Sequence, residues 1–376
     1  MNILLATDAS LERGGITLFM LQWIRGIREI DKDGIITVYF KEYIENQEIA
    51  KEYEDLGVTI ITGDIPGIIK LKSPKARKKI KGDIRKILSE KHYDAVHVNS
   101  GVFGYNAMIL AEAKKQGVRV RVAHSHGSYP ERWYDKITHF FLRRRILSTA
   151  TACAGCSEKA GRYLYGEAGV SGKKWRFVPN TIQTEKFQFS ETARVKYRNS
   201  IGIKQDEILL GAIGHLSSVK NHSFLIEMMA NLSDFSAKLI IIGQGADKEK
   251  LEKQIKEKGV EERVILFGPS MDVPGWLSAM DLYLMPSLSE GFPISAIEAQ
   301  ASGLPCVFSD RISNEVDLIR NVCHLSIDNG VEEWANILRI STLAAAGERK
   351  DAAEIIRKAG FDGSDTKEYV KKLYIC

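Results

Sequence analysis

Met285-Pro286-Ser287-Leu288-Ser289-Glu290-Gly291-Phe292-Pro293-Ile294-Ser295-Ala296-Ile297-Glu298-Ala299-Gln300-Ala301-Ser302-Gly303-Leu304-Pro305 reads as the end of a strand, a loop and a helix. Asp281 to Met285 is a short apolar run suited to a buried parallel strand, and Pro286, with no N–H, ends its pairing. Gly291 and Pro293 shape a tight loop, with Pro293 near the first helical position. Ile294, Ile297 and Ala301 recur at helical spacing until Gly303 and Pro305 stop the helix. One carboxylate, Glu290, therefore sits in the loop, and a second, Glu298, about a turn into the helix. Loop amides and the positive helix end lie between them. Such an end favours a phosphate or a developing anion. A carboxylate accepts paired hydrogen bonds from vicinal hydroxyls, which a ribose and a hexose both offer. The plainer reading is a helix with ordinary acidic residues in its first turns.

A chain of 376 residues exceeds what one core usually supports, so two domains are expected. The 44% hydrophobic and 27% charged fractions are those of an ordinary soluble globular protein, and the formal charge of +5 is mild. The start, Met1-Asn2-Ile3-Leu4-Leu5, reads as a strand rather than a signal peptide. No apolar run reaches the roughly 18 residues of a membrane helix. Five scattered cysteines suggest a reducing cytoplasm. Cys153 and Cys156 form a CxxC with no second pair, which favours core packing over zinc or redox work.

The first half alternates strand-like and helical stretches. A strand at Asn2–Thr7 runs into a glycine loop from Asp8 to Ile16 containing Gly14-Gly15, and a helix follows from Thr17. Strand, glycine loop and helix make an anion cradle, although GxGxxG is absent and a plain turn is the alternative. Further strands are expected at Ile35–Phe40, Val58–Thr62, Ala95–Asn99, Val118–Ala123, Ala150–Ala154 and Phe177–Asn180. The alternation predicts a doubly wound parallel α/β sheet, whose ligands collect at the strands' carboxyl ends. Asn99-Ser100-Gly101 and His124-Ser125-His126-Gly127 sit at such ends.

The second half repeats the plan from Ile208. A strand runs to Gly214, His215 to His222 form a loop, and a helix begins at Ser223. Lys220 beside that helix start is suited to clamp a diphosphate. Strands are expected at Ala237–Gly243, Val264–Ser270 and Cys306–Ser309, and a terminal helix at Thr366–Tyr374. Two segments, Lys70–Lys86 and Trp133–Arg145, concentrate basic residues, the second with aromatics. They read as solvated faces or as patches drawn to anionic phospholipid. Nucleic acid is not expected, because no binding motif accompanies the charge.

Glu290-Gly291-Phe292-Pro293, with Glu298 eight residues after Glu290 and then Ala299 to Val307, resembles the donor-sugar signature of retaining glycosyltransferases of family 4. The resemblance covers nearly the whole chain and looks nearest to the capsule and exopolysaccharide branch. It implies the GT-B fold: two Rossmann-like doubly wound parallel-sheet domains facing a cleft. The first, 1–182, would lie on the acceptor side and be joined by the C-terminal helix, 362–376. The second, 183–361, would bind the nucleotide sugar. By the same resemblance Glu298 holds the ribose and Glu290 the transferred sugar, and Lys220 with amides around Gly291, Phe292, Pro293 and Ile294 stabilises the departing diphosphate.

Gly14, Gly15, Gly214 and Gly268 would border the donor. His126, or next His124, would contact the sugar without acting as a nucleophile. His215 stands where the family carries an arginine, which replaces a permanent cation with one that depends on its environment. The expected partners are a nucleotide sugar, with UDP first, a glycan or undecaprenyl-linked acceptor, and an anionic membrane at the inner face of the cell. No cofactor or metal is expected, because the chain is read as having no Asp-x-Asp, and lysine and helix amides can neutralise the diphosphate. A nucleotide-sugar epimerase and a catalytically silent partner subunit are the rival readings.

Overall fold

The structure, a computed structural model, describes residues 1–11, 14–42, 47–65, 73–127, 136–204, 206–232, 235–341 and 349–375. It divides into two compact units, Met1–Thr181 with Gly363–Cys376, and Ile182–Asp362.

The first unit is built on seven strands: β1 (Ile3–Ser10), β2 (Ile36–Glu42), β3 (Val58–Thr62), β4 (Ala95–Asn99), β5 (Val120–Ser125), β6 (Ala152–Gly155) and β7 (Trp175–Phe177). They pair in parallel in the order β3-β2-β1-β4-β5-β6-β7. Between them run α1 (Gly15–Ile30), α2 (Gln47–Asp55), α3 (Pro74–Glu90), α4 (Phe103–Lys115), α5 (Lys136–Thr149), α6 (Glu158–Tyr165) and α7 (Glu167–Val170).

The second unit opens with α8 (Glu191–Ser200). Its strands are β8 (Ile208–Ile213), β9 (Ala237–Ile242), β10 (Val264–Gly268), β11 (Leu282–Met285), β12 (Cys306–Ser309) and β13 (Val322–Leu325), in the order β10-β9-β8-β11-β12-β13. Its other helices are α9 (His222–Ala230), α10 (Lys248–Glu257), α11 (Val273–Ala279), α12 (Ile294–Ala301), α13 (Val331–Ser341) and α14 (Ala352–Ile356). The chain then returns to the first unit as α15 (Thr366–Tyr374).

Leu4, Leu5, Val96 and Val98 in one sheet, and Leu209, Leu210, Ile240 and Ile241 in the other, are fully buried. Strands covered by helices on both faces carry such continuous apolar runs. Each sheet winds outward in both directions from a central pair, β1 with β4 and β8 with β11. At such a reversal the loops leaving neighbouring strands part to opposite faces and open a crevice at the strands' carboxyl ends.

Several strands differ from the sequence reading, and β13 was not expected by it. β1 continues to Ser10, so Asp8 lies within the strand rather than in the glycine loop, and Glu12 and Arg13 lie outside the described residues. β5 starts two residues late, after the turn at Gly117 (φ +76°), and extends through His124 to Ser125. β7 is Trp175–Phe177 rather than Phe177–Asn180, and Pro179 has no N–H to extend the pairing.

α15 packs on α1 at close range. A Cβ on Gly26 would lie 2.8 Å from Thr366 Cγ2, so only glycine fits there. Cys153 and Cys156 are buried free thiols, and burial pushes the Cys153 thiol up to about 12, which suits packing rather than nucleophilic chemistry.

Candidate functional site

In the second unit the candidate residues gather where β8 and β11 end. The loop after β8 is locked by its neighbours: Gly214 N–H donates to Ile242 O at 3.0 Å, and Leu216 N–H to Gln244 O at 2.8 Å. The approach is so close that a Cβ on Gly243 would stand 1.9 Å from Gly214 O, and one on Gly245 2.3 Å from Leu216 O. The Gly243-Gln244-Gly245 turn is therefore the clamp that shapes the Gly214 loop. Gly268 belongs to the same stack, its carbonyl accepting from Gly243 N–H at 2.9 Å.

The Gly214 loop is also tied to the acidic motif. Leu288 N–H donates to Val219 O at 2.8 Å, and the Asn221 amide to Pro286 O at 3.2 Å. Asn221 adopts φ +55°, a conformation asparagine tolerates better than most residues, and from it α9 begins. Lys220, its side chain lying over Gly214, reaches Glu290 and donates from Nζ to Oε1 at 2.7 Å. The two residues that sequence assigned to phosphate and to sugar are thus a partly buried ion pair. An ammonium has three N–H donors, so Lys220 can keep this bond and still reach an anion.

Pro293 is the N-cap of α12 rather than its first residue, and it offers no side-chain oxygen to the first turn. Ala296 N–H turns back to Pro293 O at 3.1 Å, and no side chain caps the turn, a helix start of the kind that suits an anion. Glu298, fifth in the helix, is half-buried. Gly291, Phe292, Pro293 and Ile294 are buried, and the Phe292 ring stacks on Phe361 at 5.3 Å, which makes its side chain a packing element. Gln300 donates to Ala296 O and Val316 O and accepts from the amides of Leu318 and Ile319, so it holds the loop before β13. His215 is exposed. His222, which sequence passed over, is buried near Lys220 and His215, and burial lowers it to about 3.

In the first unit the glycine pair caps α1. Gly14 has φ −151°, ordinary extended backbone, and Thr17 Oγ1 accepts from its N–H at 2.9 Å. A Cβ on Gly15 would meet nothing within 4 Å. Neither backbone strain nor crowding within this unit requires glycine at these two positions, and the helix start stays open.

His124 and His126 separate clearly. His124 is a fully buried strand residue, whereas His126 follows the strand, is half-buried, and its Nε2 lies 3.0 Å from Asn99 Oδ1. Burial lowers His126 to about 3, so it is neutral at physiological pH. Asp8, which sequence did not single out, has its carboxyl raised by burial, opposed by a bond to Ser100 and by Lys41.

The two basic segments flank one helix end. Lys70–Lys72 and Trp133–Asp135 lie outside the described residues. In α5, Ile137 is 73% exposed, Phe140 50% and Phe141 65%, and Arg144 lies 5.6 Å over the Phe140 ring. His139 of α5 stacks on Phe103 at 4.0 Å, and Arg77 of α3 lies beside Gly104, so both helices border the start of α4.

Among the described residues no helix is long and apolar enough to cross a membrane, and no group of three His, Cys, Asp or Glu is arranged to hold a metal. The chain's one Asp-x-Asp, Asp31-Lys32-Asp33, was missed in the sequence reading. Asp31 Oδ1 accepts from the amides of Asp33 and Gly34 in the turn before β2, at the sheet's opposite end from His126.

Residues 193–358 match the family Glycosyl transferases group 1, and residues 27–186 match Glycosyltransferase Family 4. EpsF of Bacillus subtilis (strain 168), named as a glycosyltransferase, is 30% identical over 288 residues, covering 75% of this chain and 74% of its own. The UDP-Gal:alpha-D-GlcNAc-diphosphoundecaprenol alpha-1,3-galactosyltransferase of Escherichia coli is 26% identical over 244 residues, 63% of this chain and 62% of its own. Among solved structures, Anabaena Alr3699/HepE in complex with UDP superimposes with a TM-score of 0.76 at 18% identity, covering 99% of both chains. With both halves matched and a 30% identical relative aligned across three quarters of its length, the protein belongs to the group 1, family 4 glycosyltransferases of the GT-B fold.

Proposed function

We propose that this glycosyltransferase moves a sugar from a UDP-sugar, with retention of configuration, onto a glycan or undecaprenyl-linked acceptor in polysaccharide synthesis. The observation that carries the reading is the Lys220–Glu290 pair beside the uncapped start of α12, with Glu298 on the same helix. Glu298 accepts the ribose hydroxyls, and Glu290 accepts hydroxyls of the transferred sugar while holding Lys220 in place. Lys220 and the first amides of α12 stabilise the diphosphate as charge builds on it, which is usually a large catalytic contribution.

The bond from the sugar's anomeric carbon to the diphosphate oxygen breaks, and a bond to the acceptor oxygen forms on the same face. The acceptor proton leaves with the departing phosphate. No protein nucleophile is required. Support for the donor and acceptor classes comes from the Escherichia coli relative, whose name specifies UDP-Gal and a diphosphoundecaprenol, and from Anabaena HepE, solved with UDP-glucose.

A lipid-linked acceptor requires a visit to a membrane surface. The aromatic and basic face of α5, bordered by the lysines of α3, suits an anionic one, where each basic residue contributes about 1 kcal/mol. Sedimentation with anionic but not neutral vesicles, weakened by salt and by Phe140→Ser with Phe141→Ser, is the expected result. Equal sedimentation of wild type and variant would remove α5 from the contact.

Mass spectrometry of reactions with UDP-glucose, UDP-galactose or UDP-N-acetylglucosamine and an undecaprenyl-diphosphate sugar tests the transfer. The acceptor should gain one sugar as UDP appears, with EDTA present. Epimer formation without acceptor would replace the reading with an epimerase, and binding without any turnover with a silent subunit. Restoration of a lost activity by manganese would contradict the metal-free arrangement.

A further inference from the structure

Four polar side chains at the ends of β4 and β5, and one from α15, form a connected set: His97, Asn99, His124, His126 and Tyr374. His97 and His124 stack at 5.2 Å with 12° between planes, and His124 and His126 at 4.1 Å with 25°. His97, His124 and Tyr374 are almost wholly buried. Burial holds all three imidazoles neutral, so each carries one ring proton.

Elementary donor and acceptor rules decide which nitrogen holds it. Trp23 Nε1 can only donate, so at 2.8 Å the Tyr374 oxygen accepts from it. A phenol oxygen has two lone pairs, but its other hydrogen-bond partner among the described residues is His97 Nδ1, 2.7 Å away, so the hydroxyl proton goes there. His97 is therefore bare at Nδ1 and protonated at Nε2, which faces His124 Nδ1 at 3.1 Å. That nitrogen must accept, which places the His124 proton on Nε2, a buried atom with no hydrogen-bond partner.

His126 is fixed from the other side. Its Nε2 lies 3.0 Å from Asn99 Oδ1, an oxygen that only accepts, while the Asn99 amide nitrogen faces His97 O at 3.5 Å. His126 Nε2 is thus protonated and its Nδ1 carries a lone pair.

We propose that Asn99 and Tyr374 are positioning residues that lock the tautomers of this imidazole stack, so that His126 presents an unprotonated Nδ1 to a substrate hydroxyl. The proposal rests on the sugar-transfer reading for the identity of that hydroxyl. It adds a specificity rule. The group meeting His126 must bring its own proton, as a neutral sugar hydroxyl does and a carboxylate or phosphate oxygen does not. Tyr374 ties the rule to the last helix of the chain, 277 residues from His97.

Long-range proton–nitrogen NMR of full-length protein with nitrogen-15 histidine reads the tautomers directly, without substrate. At pH 7, His97, His124 and His126 should all appear as the Nε2–H form, assigned by replacing one histidine at a time. Tyr374→Phe keeps the ring but removes the proton aimed at His97 Nδ1, so His97 and His124 should shift toward mixed tautomers. Asn99→Leu should release His126 in the same way. Asn99→Asp, which still accepts from Nε2–H, should retain it.

With the UDP-sugar that wild type turns over among UDP-glucose, UDP-galactose and UDP-N-acetylglucosamine, Asn99→Leu should lower kcat roughly fivefold to tenfold with little change in KM. Asn99→Asp should recover most of that loss. An Nδ1–H form of His126 in the wild type, or Asn99→Leu with unaltered tautomer and turnover, would overturn the proposal. The expected tautomers in a wild type that neither binds nor turns over any of these UDP-sugars would sink the sugar-transfer reading, and the hydroxyl with it.

Discussion

A carboxylate one turn into a helix whose first turn has no side-chain cap stands beside whatever anion that turn binds. On the proposed reading that anion is the diphosphate of the donor, and Glu298 then meets the ribose hydroxyls. Glu298→Gln keeps the shape and loses the charge. Charge-assisted hydrogen bonds contribute about 1.5–3 kcal/mol, so UDP affinity should fall roughly tenfold or more, as read by calorimetry. Unchanged affinity with full activity would remove Glu298 from the site. His215 is exposed, and His215→Arg should hold or improve affinity for the same UDP-sugar by supplying a fixed cation. A steep loss of turnover would give His215 a role beyond charge. The acidic stretch was legible as a local pattern, because proline and glycine obey rules that act within a few residues. The ion pair between Lys220 and Glu290 was not, because it joins positions 70 residues apart and depends on which strands become neighbours.

Elements are positioned here by backbone contact as much as by side chains. The turn Gly243-Gln244-Gly245 presses on the loop that carries Lys220, so a methyl group at Gly243 must displace Gly214 O from 1.9 Å. Gly243→Ala should therefore cost at least about 2 kcal/mol of stability. It should also weaken UDP binding more than the neighbouring exposed change Lys248→Ala. Equal urea midpoints for wild type and Gly243→Ala would show that the turn yields freely. Sequence placed β3, β4, β12 and α15 at their observed limits, since each is bounded by its own punctuation. It placed β5 two residues early and β7 two residues late. In those cases Gly117 and Pro179 decide where pairing can start or stop, and an apolar run alone does not say which of its residues meet a neighbour. The resemblance returned the last helix to the first domain, but its contact with α1 was not legible, because Gly26 and Thr366 acquire meaning only once they touch.

Across the whole molecule, four histidines that the fold keeps neutral lower stability in acid. His97, His124 and His126 in the first unit and His222 in the second are all lowered from 6.5, chiefly by burial. In the unfolded chain each binds a proton as pH falls through about 6.5, while the folded form stays neutral until near 3 for His126 and His222. The unfolded state thus binds more protons between these limits, and stability must drop as pH is lowered through that window. Each histidine contributes a slope of up to about 1.4 kcal/mol per pH unit. Asp8 acts with the opposite sign. Its carboxyl is raised above 3.8, so it protonates first in the folded state and relieves part of the loss in acid. Carboxylates lowered in the fold, such as Asp31 and Glu112, lose their contribution only further down, as pH falls through the carboxylate range. Urea unfolding between pH 7.5 and 5 should therefore show a steep fall in stability beginning near 6.5. His222→Gln, which cannot take up a proton in either state, should flatten that slope by the share of one histidine. A flat profile across this window would mean that the imidazoles titrate equally in both states, which their burial forbids.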